Sequence, residues 1–190
     1  MWRRELLLRF LMAIRRDRVD EAMALLQKST ESGEVTAAAL LVRQRPFEIV
    51  KGFGKAQGAT PFLLASITKP MTAAGVMVLR DRGELSLDDA VRKYLPQFTG
   101  GDRDLITIRH LLTHTSGLPD MLPENEDLRK RHAPLQDFVN LTMKTPLLFK
   151  PGSQVRYQSM GILLASAVAE RITKKPFRDF LKEEVFLPLG

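Results

Sequence analysis

Apolar residues recur at helical spacing from the start of the chain: Leu6, Leu7, Phe10, Leu11 and Ile14, then Val19, Ala22, Met23 and Leu26. Side chains three and four positions apart share one face of a helix. Residues up to about Ser29 are therefore expected to form one long or two shorter amphipathic helices, with Gly33 as a stop. The pattern then changes. VTAAALLVR (residues 35–43) and FEIVKGF (residues 47–53) flank the short connection Gln44, Arg45, Pro46, which predicts an antiparallel hairpin. Two strands alone are marginal in water, so the hairpin needs further strands or a helical layer. From Ser66 onward helical periodicity dominates: residues 67–82 closed by Gly83, and a short helix after Ser86, which could cap it with Asp89 three positions on, ended by Pro96. Thr107 is a cap-like residue before IRHLL, HTSGLPD reads as a turn, and residues 135–145, 160–173 and 177–186 are further helices. No later segment reads strongly as a strand.

Composition narrows the class. With 190 residues, 44% hydrophobic and 27% charged, the chain matches a globular protein with one sizeable core. The formal charge is +7, and residues 1–18 hold six arginines against Glu5 and Asp17, so much of the excess is local. No nucleic-acid module, aromatic-basic stacking platform or zinc-ligand pattern accompanies it, which argues against a nucleic-acid partner and for a solvated basic terminus. The alternative is that the first half of the amphipathic stripe lies on a membrane surface or a partner. The absence of cysteine excludes disulfides, a thiol nucleophile and thiolate metal sites, and leaves the compartment open. No apolar run reaches membrane-spanning length. Arg9 interrupts the first apolar stretch and no small-residue cleavage site follows, so it is not read as a signal peptide, and a cytoplasmic location is expected over an exported one.

Ser66 and Lys69 stand three positions apart where an extended PFLLA gives way to a helix, which puts both side chains on one face of the first turn. A serine hydroxyl is a poor nucleophile until a base removes its proton, and a lysine kept neutral can be that base. The helix N-terminus favours a developing alkoxide, and the Ser66 N–H could serve as half of an oxyanion hole. The tetrapeptide S-x-x-K is weak by itself, since a chain of this length holds on the order of one by chance; the plain alternative is a helix cap beside a surface lysine. Tyr157, Gln158 and Ser159 follow FKPGSQVR and precede the apolar MGILLASAVAERI. A phenolate beside a lysine can take a proton from serine and return it to a leaving group, although an aromatic packed on the Pro151–Gly152 turn would look the same. Ser159 could donate a hydrogen bond to a substrate. His114, in LLTHTSGL, is read as pinning its loop rather than as a base, because nothing nearby completes a serine, histidine and carboxylate set. His110 and His132 are weaker candidates, and no metal-ligand spacing occurs.

Taken together, LASITKP, GELSLDDAVRKYLP, ITIRHLLTHTSGLP, FKPGSQVRYQS and FLPLG stand in the order and approximate spacing of one family. From about Val19 to Gly190 the chain resembles the serine β-lactamase-related family, in its branch of class C β-lactamases, D-Ala-D-Ala carboxypeptidases and esterases. The resemblance implies an α+β, β-lactamase/transpeptidase-like fold, with a helical region and an antiparallel sheet represented here by its N-terminal hairpin. It also implies that Ser66 is acylated, that Lys69 is its proton partner and that Tyr157 shuttles the proton, with no cofactor or metal. Two departures stand out. Ser159 replaces the asparagine that ends the usual tyrosine motif, which tilts the expected substrate from lactams and peptides toward small esters. The third motif, Lys or His with Gly two residues on, is missing, because Lys150, Pro151 and Gly152 lie upstream of Tyr157 in a turn. The expected organisation is a basic extension over residues 1–18 and a partial hydrolase domain over 19–190, truncated at its C-terminus. The expected function is hydrolysis of a small ester or amide through a Ser66 acyl-enzyme. The alternative is an inactive ligand-binding or partner-binding fragment, for instance one that meets a complementary C-terminal chain.

Overall fold

The computed structural model describes residues 14–190 and divides the chain into two compact units, Met1–Leu63 and Leu64–Gly190. The stripe Leu6, Leu7, Phe10 and Leu11, and with it most of the expected basic extension over residues 1–18, lies outside the described residues.

In the first unit, helix α1 (Arg16–Glu31) carries the second half of the expected amphipathic stripe, with Val19 as its buried residue. It ends at Ser32 and turns through Gly33, whose φ of 76° suits a residue without a Cβ. Strands β1 (Ala37–Gln44) and β2 (Phe47–Gly54) pair antiparallel from Ala37 opposite Gly54 to Gln44 opposite Phe47, so the loop is the two residues Arg45 and Pro46. Along β1 exposed and half-buried residues alternate, the period-2 signature of a sheet with one wet face. Helix α1 packs on both strands and supplies the helical layer that a bare hairpin lacks.

The second unit is helical. A 3-10 turn, Ala65–Ile67, leads into α2 (Thr68–Asp81). After 3-10 turns at Val91–Lys93 and Gly101–Leu105 come α3 (Ile108–Leu112), α4 (Asn125–Lys130), α5 (Leu135–Thr142) and α6 (Met160–Thr173). The chain closes with α7 (Phe177–Leu181), a π-turn over Lys182–Phe186 and α8 (Leu187–Leu189). Val76 and Leu79 from α2, Ile108 and Leu111 from α3, and Leu164 and Val168 from α6 are fully buried in one cluster with Phe98, Ile106 and Leu118. Each such side chain contributes roughly 1.5–3 kcal/mol of burial. Helix α6 is apolar on nearly every side because α2, α3, α5 and α7 all pack on it. Gly75 lets α7 close on α2, since a Cβ there would stand 2.7 Å from the Leu181 side chain.

The helix expected after Ser86 does not form. Its start signal is real: the Ser86 N–H donates to the Asp89 carboxylate at 2.8 Å and the Asp88 N–H to the Ser86 hydroxyl at 3.3 Å. The backbone is then taken by a neighbour. Leu87 and Asp89 carbonyls accept from Arg109 and Ile108, the Val91 N–H donates to Ile106, and Ala90 makes a bridge with Thr107. Carbonyls spent on a second segment cannot accept from a helix of their own. Thr107 behaves as expected: its hydroxyl accepts the His110 N–H while His110 Nδ1 accepts the Thr107 N–H, a reciprocal cap on α3.

Candidate active site

Ser66 lies in the 3-10 turn, not at the cap of α2; the flanking residue is Ile67, and no side chain caps that helix. Its hydroxyl is therefore free of the structural duty that the plain alternative gave it. Ala65, just before it, has φ 45°, a left-handed conformation that costs a residue with a Cβ roughly 1–3 kcal/mol. One turn on, Lys69 points its ammonium back at Ser66, with Nζ donating to Oγ at 3.3 Å. The spacing of three positions delivers this contact with no help from the rest of the fold.

Tyr157 arrives from the other side, donating its Oη to Ser66 Oγ at 2.5 Å across 91 positions of sequence. The Lys69 ammonium also lies 4.6 Å from the centre of the phenol ring. Two candidate groups thus converge on the oxygen of the third. The Lys69 ammonium first, and the Ser66 hydroxyl second, hold the Tyr157 phenol below the ordinary tyrosine range. The phenol is half exposed, at 50%, so the site is open to solvent.

The segment that presents Tyr157 forms no regular element, and Ser159 at its end is already in a helical conformation, at φ −91° and ψ −30°, as it flanks α6. Tyr157 is exposed and Ser159 half-buried, while Gln158 between them is completely buried, at 0% exposure. Gln158 Oε1 accepts from the buried Ser116 hydroxyl at 2.6 Å, and its amide reaches the His110 carbonyl at 3.4 Å. Gly161 makes room for it, because a Cβ there would come within 2.8 Å of the Gln158 amide. The LLTHTSGL loop runs beside this segment and bonds it repeatedly: Leu148 N–H to the Gly117 carbonyl, Gly152 N–H to Thr115, and Arg156 N–H to His114. Gly117, at φ 84°, is needed there, since a Cβ would sit 2.3 Å from the Phe149 carbonyl oxygen.

His114 is the pin of this arrangement. Its Nδ1 accepts the Gln158 N–H at 3.3 Å and its carbonyl accepts the Arg156 N–H at 2.9 Å, so it clasps the chain on both sides of Tyr157. Its ring lies 4.9 Å from the phenol ring, tilted by 40°. Burial first, and the Lys69 charge second, push the imidazole below the ordinary histidine range, which favours the neutral ring that these contacts require. Lys150, Pro151 and Gly152 form a turn closed by Ser153 on the Lys150 carbonyl. His132 lies in a turn after α4, and His110 caps α3.

Ser159 is placed beside the cluster, but its hydroxyl is engaged: Oγ donates to Asp120 Oδ1 at 2.7 Å. The loop residue Asp120 was legible in the sequence only as part of a turn, and Gln158 only as a polar letter inside a motif. Both were missed, because a carboxylate or amide is assigned to a site by what it faces. Among the described residues no three His, Cys, Asp or Glu side chains come together as a metal-ligand set, and no helix is long and apolar enough to cross a membrane.

Comparison with known proteins finds relatives of this chain. A family model described as Beta-lactamase matches residues 15–190. Penicillin-binding protein 4* of Bacillus subtilis is 39% identical over 134 residues, covering 68% of this chain and 29% of its own length. Esterase EstB of Burkholderia gladioli is 38% identical over 146 residues, covering 69% of this chain and 37% of its own. A D-stereospecific amidohydrolase from Streptomyces superposes with a TM-score of 0.72 at 27% identity, over 87% of this chain and 54% of that one. The chain thus spans about a third of the length of these two curated relatives.

Proposed function

The chain belongs to the beta-lactamase family, whose fold it shares and whose members include hydrolases of esters and amides, and from that premise we propose that it is a serine hydrolase acting on a small ester or amide through an acyl-enzyme on Ser66. The observation that carries the reading is the convergence of Lys69 Nζ and Tyr157 Oη on Ser66 Oγ, at 3.3 and 2.5 Å.

In this reading the phenol, held below its ordinary range by the Lys69 ammonium and open to solvent, gives up its proton to water and becomes the base. It takes the Ser66 proton as Oγ attacks the acyl carbonyl. The same proton passes to the leaving oxygen or nitrogen as that bond breaks, which leaves an ester on Ser66. In the second half Tyr157 takes a proton from water, the hydroxyl attacks the ester, and the proton returns to Ser66 as the acid departs. The Ser66 N–H, without a hydrogen-bond partner among the described residues, is free to donate to the tetrahedral oxyanion.

The test is intact-mass labelling of the purified chain by a fluorophosphonate and, separately, by a penicillin, with Ser66→Ala as control. A single adduct that disappears in Ser66→Ala is the expected result, and the penicillin outcome separates lactam from ester chemistry. A folded sample that takes no adduct from either reagent would instead make this chain a binding protein built on a hydrolase fold.

A further inference from the structure

The His114 ring holds its neighbour as a hydrogen-bond acceptor. The Gln158 N–H donates to Nδ1 at 3.3 Å, so the proton of the neutral ring sits on Nε2. In an imidazolium both ring nitrogens are donors, and no rotation of the ring then presents an acceptor to that N–H. Gln158 is not free to withdraw, because its side chain is completely buried and bonded to the Ser116 hydroxyl at 2.6 Å and the His110 carbonyl at 3.4 Å. The His114 backbone is held as well, since its carbonyl accepts the Arg156 N–H at 2.9 Å. What gives way on protonation is the ring.

That ring is also a wall for the phenol, with the two ring centroids 4.9 Å apart. The other neighbours of the half-exposed Tyr157 phenol at the site are the Ser66 hydroxyl and the Lys69 ammonium, the groups it serves. A ring that swings away from the Gln158 N–H therefore takes away the wall that keeps Oη on Ser66 Oγ. Burial first, and the Lys69 charge from α2, oppose a proton on the ring, while the Asp120 charge from its own loop favours one. We propose that His114 is a positioning residue for the Tyr157 phenol and that turnover requires its neutral ring, so that a proton on a side chain with no hydrogen bond to Ser66 switches the reaction off. This rests on the Ser66 reading above and adds to it an acid-side control separate from ionisation of the phenol.

The test measures kcat on a nitrophenyl ester from about pH 8 downward for the unsubstituted chain, His114→Asn and His114→Gly. Asparagine carries Oδ1 on Cγ where histidine carries Nδ1, so it keeps an acceptor that does not titrate. Glycine removes both acceptor and ring, and it takes the φ of 60° without strain. Fluorophosphonate labelling of Ser66 is measured on the same preparations, and circular dichroism fixes the pH range in which each stays folded. The ratio of unsubstituted to His114→Asn kcat is expected to be level above about pH 7 and to fall by about tenfold per pH unit once the ring takes up its proton, with KM unmoved. The phenol is common to both proteins, so a bend in their ratio belongs to position 114. At pH 8 the His114→Gly kcat is expected about tenfold below that of His114→Asn. Chains labelled at Ser66 whose ratio stays level down to the pH of unfolding overturn the proposal and leave the serine reading standing, as does equal kcat for the two variants at pH 8. An unsubstituted chain neither labelled nor active overturns both.

Discussion

Ser66 and Lys69 meet because three positions separate them at the start of one helix, whereas Tyr157 reaches the same oxygen from 91 positions away, on a segment that forms no regular element. The first arm needs only the local geometry of a helical turn. The second is held by contacts spread over the molecule: Gln158 buried against Ser116 and His110, His114 clasping the backbone on both sides of the phenol, and the Gly117 loop bonded to residues 148–156. The difference teaches where each arm is vulnerable. A local arm fails by losing its functional group; an assembled arm fails also by losing its supports.

The largest effect separates function from support within the assembled arm. Tyr157→Phe removes the phenolic oxygen and keeps the ring against His114, so turnover of a small ester is expected to fall by about a thousandfold, the usual scale of a lost acid-base group. Steady-state kinetics on a nitrophenyl ester would show it, and a loss below tenfold would mean that Tyr157 is not the proton carrier.

Next comes a pair of variants that sets the two arms against each other in urea unfolding. Gln158→Leu keeps the volume but strands the buried Ser116 hydroxyl proton, while the His110 carbonyl keeps the Thr115 N–H, at a cost of about 2 kcal/mol. Lys69→Ala, on the local arm, is expected to change stability by no more than about 0.5 kcal/mol while abolishing Ser66 labelling. Equal midpoints for the two variants would erase the distinction drawn between the arms.

A smaller effect tests the Ser86–Asp89 turn, whose carbonyls accept from the first residues of α3. The Tyr94 hydroxyl first and the Ser86 N–H second, with Lys93 further down, lower the Asp89 carboxyl from 3.8 to about 2. A depressed carboxylate contributes stability that is complete above the unfolded value and disappears as pH falls through the folded one. Asp89→Asn is therefore expected to cost about 1 kcal/mol near neutrality, allowing for partial solvent screening. Thermal melts of the two proteins should converge as pH drops from about 4 toward 2.

The smallest effect belongs to His114. Its folded-state value lies below the ordinary one, so as pH falls through about 6.5 the unfolded chain takes up a proton before the native ring does. Stability is complete above that pH and declines below it, opposite in cause to the carboxylate case but alike in direction. His114→Asn, which tolerates the φ of 60°, should flatten the melting-temperature slope between pH 7 and 5. An unchanged slope would mean that His114 does not carry it.

The sequence by itself determined the local features. Helical spacing located α1, α2 and α6 to within a few residues, the change to short apolar runs located the hairpin, and a serine and lysine three apart could meet wherever that turn went. These follow from backbone geometry that repeats every few residues and needs no distant partner. Where a nearby segment competed for the same backbone groups, as at Ser86–Asp89, the local signal lost to the tertiary bond. Motif letters likewise singled out Tyr157 and Ser159 but not what each faces. Only the tertiary structure decided that Gln158 turns inward, that His114 holds the phenol's backbone, and that Asp120 takes the Ser159 proton, because a side chain's partner across 39 or 44 positions is fixed by packing and hydrogen-bond satisfaction in the folded core.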